Sequence, residues 1–170
     1  PVLVLFGMCF YVSFQKLKKN ENKRLQHLYT EILLEDNVSL NLKKNVFFDG
    51  NENSPITIKQ NNINKPWGTV AIVGPDSKGS IIRHTTFNGG SGDKVNNYKF
   101  TGMLSIHNTE DVTIDKVNLN KNYIYDDMFH VVYAKNIKIY NSKFSNTYAD
   151  AIDIDSSSEV KILNIDVKNA

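Results

Sequence analysis

"IKIYNSKFSNT", residues 137–147, alternates apolar and polar side chains, breaks at Asn141, and then alternates again. The rhythm recurs in "VTIDKVNLNKN" (112–122), in "VKILNIDVKNA" (160–170) and, more loosely, in "SIIRHTTFNGG" (80–90). Alternation of period two marks strands with one buried face. Aligned on their central apolar pairs, the copies read Ile82/Phe87, Ile114/Leu119, Ile139/Phe144 and Ile162/Val167. The central isoleucines are 32, 25 and 23 residues apart. A second apolar strand precedes each copy, in "GTVAIVG", "GMLSIHN", "MFHVVYA" and "AIDIDSS", with Ile72, Ile106, Val131 and Ile154 in equivalent places.

A period of 20–50 residues with short strands in each copy signals a solenoid. No copy contains a helical pattern, and no tight two-residue hairpin joins its strands, so leucine-rich and βαβ arrays fit badly. The sequence therefore predicts an all-β parallel β-helix, in which equivalent strands stack ~4.8 Å apart. Burying several aliphatics per coil, at roughly 1.5–3 kcal/mol each, offsets the ordering cost only when coils cover one another. On this reading Ile114, Ile139 and Ile162 share one interior column. The repeat breaks off in its last copy and the chain starts at Pro1, so the sequence reads as a fragment whose final coil, 160–170, is uncapped and continues in further coils or a neighbouring domain.

Composition narrows the function. A net charge of +2 over 170 residues, with only Arg24 and Arg83 as arginines, argues against nucleic acid. The single cysteine, Cys9, excludes an intrachain disulfide and a multi-cysteine metal site.

Residues 1–14 hold an apolar run, "VLVLFGMCFYVSF", followed by "QKLKKNENKR". The run is 13 residues long, shorter than the ~20 a spanning helix needs, and its basic residues follow it rather than precede it. It reads as the end of a membrane anchor, with a signal core or a buried segment as alternatives. Residues 15–36 read as a linker and a capping helix, from Leu25, Leu28, Tyr29, Ile32 and Leu33 at helical spacing. The β-helix is placed at 37–170. Its first strands are expected at "VSLNL" (38–42) and "PITIK" (55–59), with "FFDGNENS" (47–54) as the turn between them.

"KPWGTVAIVG", "FTGMLSIHN", "YDDMFHVVYAKNIKIYNSKFSN" and "ADAIDIDSS" resemble the right-handed β-helix repeats of the pectate-lyase superfamily. More narrowly, they are similar to bacterial β-helix regions found beside spore-coat-type kinase domains. The resemblance covers residues 45–170. It implies a right-handed coil and a link to polysaccharides, in a superfamily that holds lyases, hydrolases, epimerases and adhesive stalks. Fold alone does not choose among these.

With Leu104/Ile106, Phe129/Val131 and Ile152/Ile154 pointing inward, the residues between them form outward columns. One reads Ser105, His130, Asp153 and the next His107, Val132, Asp155. Asp127 aligns with Asp150, and Asp126 adjoins them. Asp126, Asp127, Asp150, Asp153 and Asp155 are thus the candidate metal ligands, for Ca²⁺, a hard ion that takes oxygen donors. Asp127, Asp150, Asp153 and His130 are the weak catalytic candidates, since carboxylates one coil apart approach the ~5–5.5 Å of a retaining glycosidase pair. One of two such close carboxylates is expected to have a raised pKa. Ser105–His130–Asp153 has the order of a catalytic triad, but a column supplies only rough proximity. Lyases of this fold usually use Arg or Lys as base, and no arginine lies near these carboxylates; Arg83 and His84 fall two coils earlier. The loop 88–100 departs furthest from the repeat and is expected on the binding side. Trp67 is expected to pack on a coil, and Asn141 and Asn164 to stack as an amide ladder. The reading is a non-enzymatic binding or display module of the cell envelope with polysaccharide as partner and no required cofactor; the alternative is a carbohydrate-active enzyme.

Overall fold

The computed structural model describes residues 11–12, 30–95 and 97–170. The chain winds as a parallel β-solenoid of about five turns. Each turn contributes one strand to each of three sheets. The first sheet stacks Leu40–Leu42, Val70–Val73, Leu104–His107, Asp127–Val132 and Asp150–Asp155. The second stacks Phe47–Asp49, Ile81–Arg83, Thr113–Asp115, Lys138–Tyr140 and Lys161–Leu163. The third runs from Thr30–Leu34 through Ile56–Gln60, Thr85–Asn88, Asn118–Asn120 and Lys143–Ser145 to Asp166–Lys168, with Tyr11–Val12 pairing antiparallel at its start.

Pairing follows the sequence alignment. Ile82, Ile114, Ile139 and Ile162 are successive partners, as are Phe87, Leu119, Phe144 and Val167. The first three isoleucines are fully buried. Phe129 of the first sheet stacks on Phe144 of the third across the core, ring centroids 6.3 Å apart. In the last coil, which has a neighbour on one side, Ile162, Leu163 and Val167 are exposed, and among the described residues nothing covers them.

The corners explain the asparagine content. A single residue with positive φ turns the chain from the second sheet to the third in four coils: His84 (45°), Lys116 (53°), Asn141 (50°) and Asn164 (56°). Asparagine tolerates this region because its short amide bonds locally. The expected ladder is present and extends further: Asn141 Nδ2 donates to Asp115 Oδ1 at 2.8 Å, and Asn164 Nδ2 to Asn141 Oδ1 at 3.0 Å. A second ladder closes the third sheet, where Asn146 donates to Asn120 and Asn169 to Asn146.

Three expectations are corrected. Thr30–Leu34 is a strand and not the end of a capping helix; residues 25–29 of that expectation lie outside the described residues, as does most of the apolar run. Ile32 pairs with Ile58 in a parallel ladder, and Leu34 is buried. Five residues fit either period, and the ladder offered by Ile56–Gln60 decides between them. Phe47–Asp49, expected in a turn, pairs with Ile81–Arg83. The loop 88–100 does contain a hairpin, Asp93–Val95 with Tyr98–Phe100. Trp67 packs as expected: it is fully buried and its Nε1 donates to the Asn88 carbonyl at 2.8 Å. Among the described residues no helix is long and apolar enough to cross a membrane.

Candidate functional site

The first sheet sets the register of the acidic columns. Asp127 pairs with Asp150, His130 with Asp153, and Val132 with Asp155. His130 forms the centre. Its Nε2 lies 3.3 Å from Asp155 Oδ2 and 3.6 Å from Asp153 Oδ2, and its Nδ1 lies 3.7 Å from Asp127 Oδ2. One ligating atom from each of Asp127, His130 and Asp153 lies within 4.8 Å of the others. The ring is buried, with its side chain 10 % exposed, while Asp153 and Asp155 are 40 % and 62 % exposed. The cluster is therefore closed behind and open in front.

Asp127 is not one of the outward carboxylates: it has the parity of the inward Phe129 and Val131, opposite to that of His130. It begins the strand, and its side chain is 4 % exposed. Burial pushes its carboxyl above the ordinary carboxylate value; Thr101 and His130 pull it back, and the charges of Asp126 and Asp153 add to the rise. One carboxyl is thus raised as anticipated, but burial leads and repulsion is secondary. Asp150 and Asp126 are exposed, and the Asp150 amide donates to the Asp126 carbonyl at 2.9 Å. Neither belongs to the compact group around His130.

The hairpin loop supplies what the sequence did not point to. Its return strand ends at Phe100, whose ring packs 4.8 Å from His107, and His107 meets His130 edge-on at 5.3 Å. Burial, reinforced by His130, drives the His107 imidazole down to about 4. Its Nε2 has no hydrogen-bond partner among the described residues. Thr101 Oγ1 lies 2.6 Å from His130 Nδ1 and is also hydrogen-bonded to the Asp127 carboxyl. A hydroxyl carries one proton. A proton on Nδ1 is donated to Oγ1, leaving Nε2 as a lone pair facing Asp153 and Asp155; a proton on Nε2 is donated to Asp155 Oδ2 at 3.3 Å. The signal was in the repeat: Leu104 pairs with Phe129, 25 residues on, and the same offset sets Thr101 beside Asp126.

Ser105 pairs with His130 in register, yet it is fully buried and its Oγ donates to the Gly102 carbonyl at 3.1 Å. Its hydroxyl is engaged away from the imidazole, so the three do not form a triad. Arg83 sits on the second sheet beside Asp49, with 3.5 Å between Nε and Oδ1, and His84 turns the corner after it. Tyr125 and Tyr148 each stand two residues before the Asp127/Asp150 pair, at equivalent places in successive coils, and Tyr148 is exposed.

Compared with protein-family models, with curated proteins and with solved structures, the chain finds no match. Its chemistry is argued from this geometry.

Proposed function

We propose that the protein is a non-enzymatic β-helix module of the cell envelope that binds polysaccharide along the open edge of the first sheet. The observation that carries this reading is the gathering of Asp127, His130, Asp153 and Asp155 on adjacent coils, with Tyr125 and Tyr148 set in step beside them. Carboxylates accept hydrogen bonds from sugar hydroxyls, and an exposed aromatic ring offers a flat apolar face. The ~4.8 Å stacking of coils repeats both features along the axis, which suits an extended chain ligand. The resemblance to β-helix proteins that handle polysaccharides agrees with this, and the apolar run at 2–14 is what points to the envelope.

Affinity electrophoresis in gels carrying neutral or uronate-rich polysaccharide tests the reading. The wild type is expected to be retarded by at least one polymer, with Tyr148→Ala and Asp153→Asn less retarded and the polymer left intact. Equal mobility in every gel would reject it. A second reading has one observation in its favour: the raised carboxyl of Asp127 is what a general acid needs. Shortened polymer after incubation, abolished by Asp127→Asn, would replace the binding module with a carbohydrate-active enzyme.

A further inference from the structure

We propose that His130, Asp153 and Asp155 form a binding site for a first-row transition dication of the Zn²⁺ class. The inference goes beyond polysaccharide binding and does not depend on it. Around tetrahedral Zn²⁺, nitrogen and oxygen ligands at ~2.0–2.2 Å lie roughly 3.3–3.6 Å from one another. The separations here are 3.3 Å from Nε2 to Asp155 Oδ2 and 3.6 Å from Nε2 to Asp153 Oδ2. Both separations from Nε2 are thus already those of the ion's ligand edge.

The supporting groups fit the same chemistry. A ligating imidazole needs its other nitrogen held, so that the ring and its tautomer are fixed. His130 Nδ1 has Thr101 Oγ1 at 2.6 Å, with the Asp127 carboxyl behind that hydroxyl. With its proton on Nδ1, held by that hydroxyl, the ring turns the Nε2 lone pair toward two carboxylates, and a metal ion there would answer their charge. With its proton on Nε2 the ring instead donates to Asp155 Oδ2 at 3.3 Å, and the metal titration separates the two. A nitrogen donor selects for the transition series, because Ca²⁺ seeks six to eight oxygens. Ca²⁺, expected from the carboxylates read as a list, is therefore the poorer fit once His130 is found among them. The exposed front at Asp153 and Asp155 leaves room for the water that completes four-coordination.

Calorimetric titration of the full chain with ZnCl₂ and, separately, CaCl₂ tests the site, with Co²⁺ absorption as a reporter of tetrahedral coordination. One Zn²⁺ per chain is expected, bound tighter than Ca²⁺. His130→Gln and the Asp153→Asn/Asp155→Asn pair should each weaken Zn²⁺ by at least about tenfold, and Asp127→Asn, one shell out, by about tenfold. The Asp153/Asp155 pair lies on the open edge, so it carries the test if His130→Gln fails to fold. No heat with Zn²⁺, equal heat in wild type and the Asp153/Asp155 variant, or Ca²⁺ bound more tightly than Zn²⁺ would each overturn the site. Any of these leaves the gel-retardation test of polysaccharide binding to stand or fall by itself.

Discussion

Polar side chains stack at coil spacing in two regions of this solenoid, the asparagine corners and the acidic edge of the first sheet, and the two stacks satisfy themselves differently. At the corners, each amide both donates and accepts, so Asp115, Asn141 and Asn164 form a chain with donor meeting acceptor at every step. At the edge, two carboxylates, Asp153 and Asp155, face the single nitrogen His130 Nε2, so acceptors outnumber donors. Spacing is common to both and cannot separate them. What separates a structural stack from a binding stack is whether its own donors and acceptors cancel. The corner stack is complete within the protein; the edge stack gathers carboxylates around one imidazole, and the proposed cation would complete it.

The largest expected difference comes from backbone clearance beside the edge. A Cβ on Gly102 would lie 2.4 Å from the Leu104 carbonyl oxygen and 2.8 Å from the His130 amide. Gly102→Ala should therefore cost about 1–3 kcal/mol in urea unfolding and displace His130. Gly79 has positive φ but nothing within 4 Å, so Gly79→Ala should cost only the left-handed penalty of about 1 kcal/mol. Equal costs would mean that the region around His130 is less closely built than the structure shows.

Next comes a pH effect peculiar to the edge. His107 is held neutral in the fold, its value lowered from 6.5 to about 4. Unfolded chains take up that proton first, so stability is full above the unfolded value and is lost as pH falls from 6.5 toward 4. His107→Gln should remove this part of the slope in a series of thermal melts, and a slope left unchanged would assign it to other groups. Asp127 acts with the opposite sign. Its carboxyl, raised by burial, disfavours the fold once ionised, so Asp127→Asn should stabilise the protein at pH above the ordinary carboxylate value and not below it.

Smaller effects belong to the corners. Asn141→Ala removes two ladder hydrogen bonds and places alanine at φ 50°, for an expected loss of about 1–2 kcal/mol, with no change in metal binding. Tyr133 is exposed at φ 49°. Tyr133→Asn should stabilise by roughly 0.5–1 kcal/mol, read from the urea midpoint. A destabilised Tyr133→Asn protein would show that the ring packs where strain alone has been assumed.

The legibility of this chain in its sequence follows the same division. Ile82, Ile114, Ile139 and Ile162 could be aligned before any coordinates because interior columns demand one residue type at one spacing, and their pairing matches. The Asn141–Asn164 ladder was legible for the same reason. The pairing of Asp127 with Asp150 and of His130 with Asp153 was also visible. The inward side of Asp127 was legible in its parity with Phe129 and Val131, but grouping it by residue type with the exposed aspartates passed over that. Phe100 comes to the site through a hairpin inserted between coils, and an insertion carries no repeat to align, whereas His107 stands in an outward column of the repeat and Thr101 at the same 25-residue offset from Asp126. At Thr30–Leu34, Ile32 and Leu33 continued a helical spacing begun at Leu25, and only the neighbouring strand Ile56–Gln60 decides otherwise.

The contrast between the two stacks rests on one nitrogen, and long-range ¹H–¹⁵N spectra of the histidine rings observe it. Before metal, His130 Nδ1 is expected to carry a proton held by Thr101. On addition of one equivalent of Zn²⁺, Nε2 should shift as a metal-bound nitrogen while Nδ1–H stays, and the Asn141 and Asn164 side-chain amides should not move. A His130 Nε2 that keeps its proton and its shift throughout the titration would contradict the reading of this edge as a cation site and make it a closed stack like the corners.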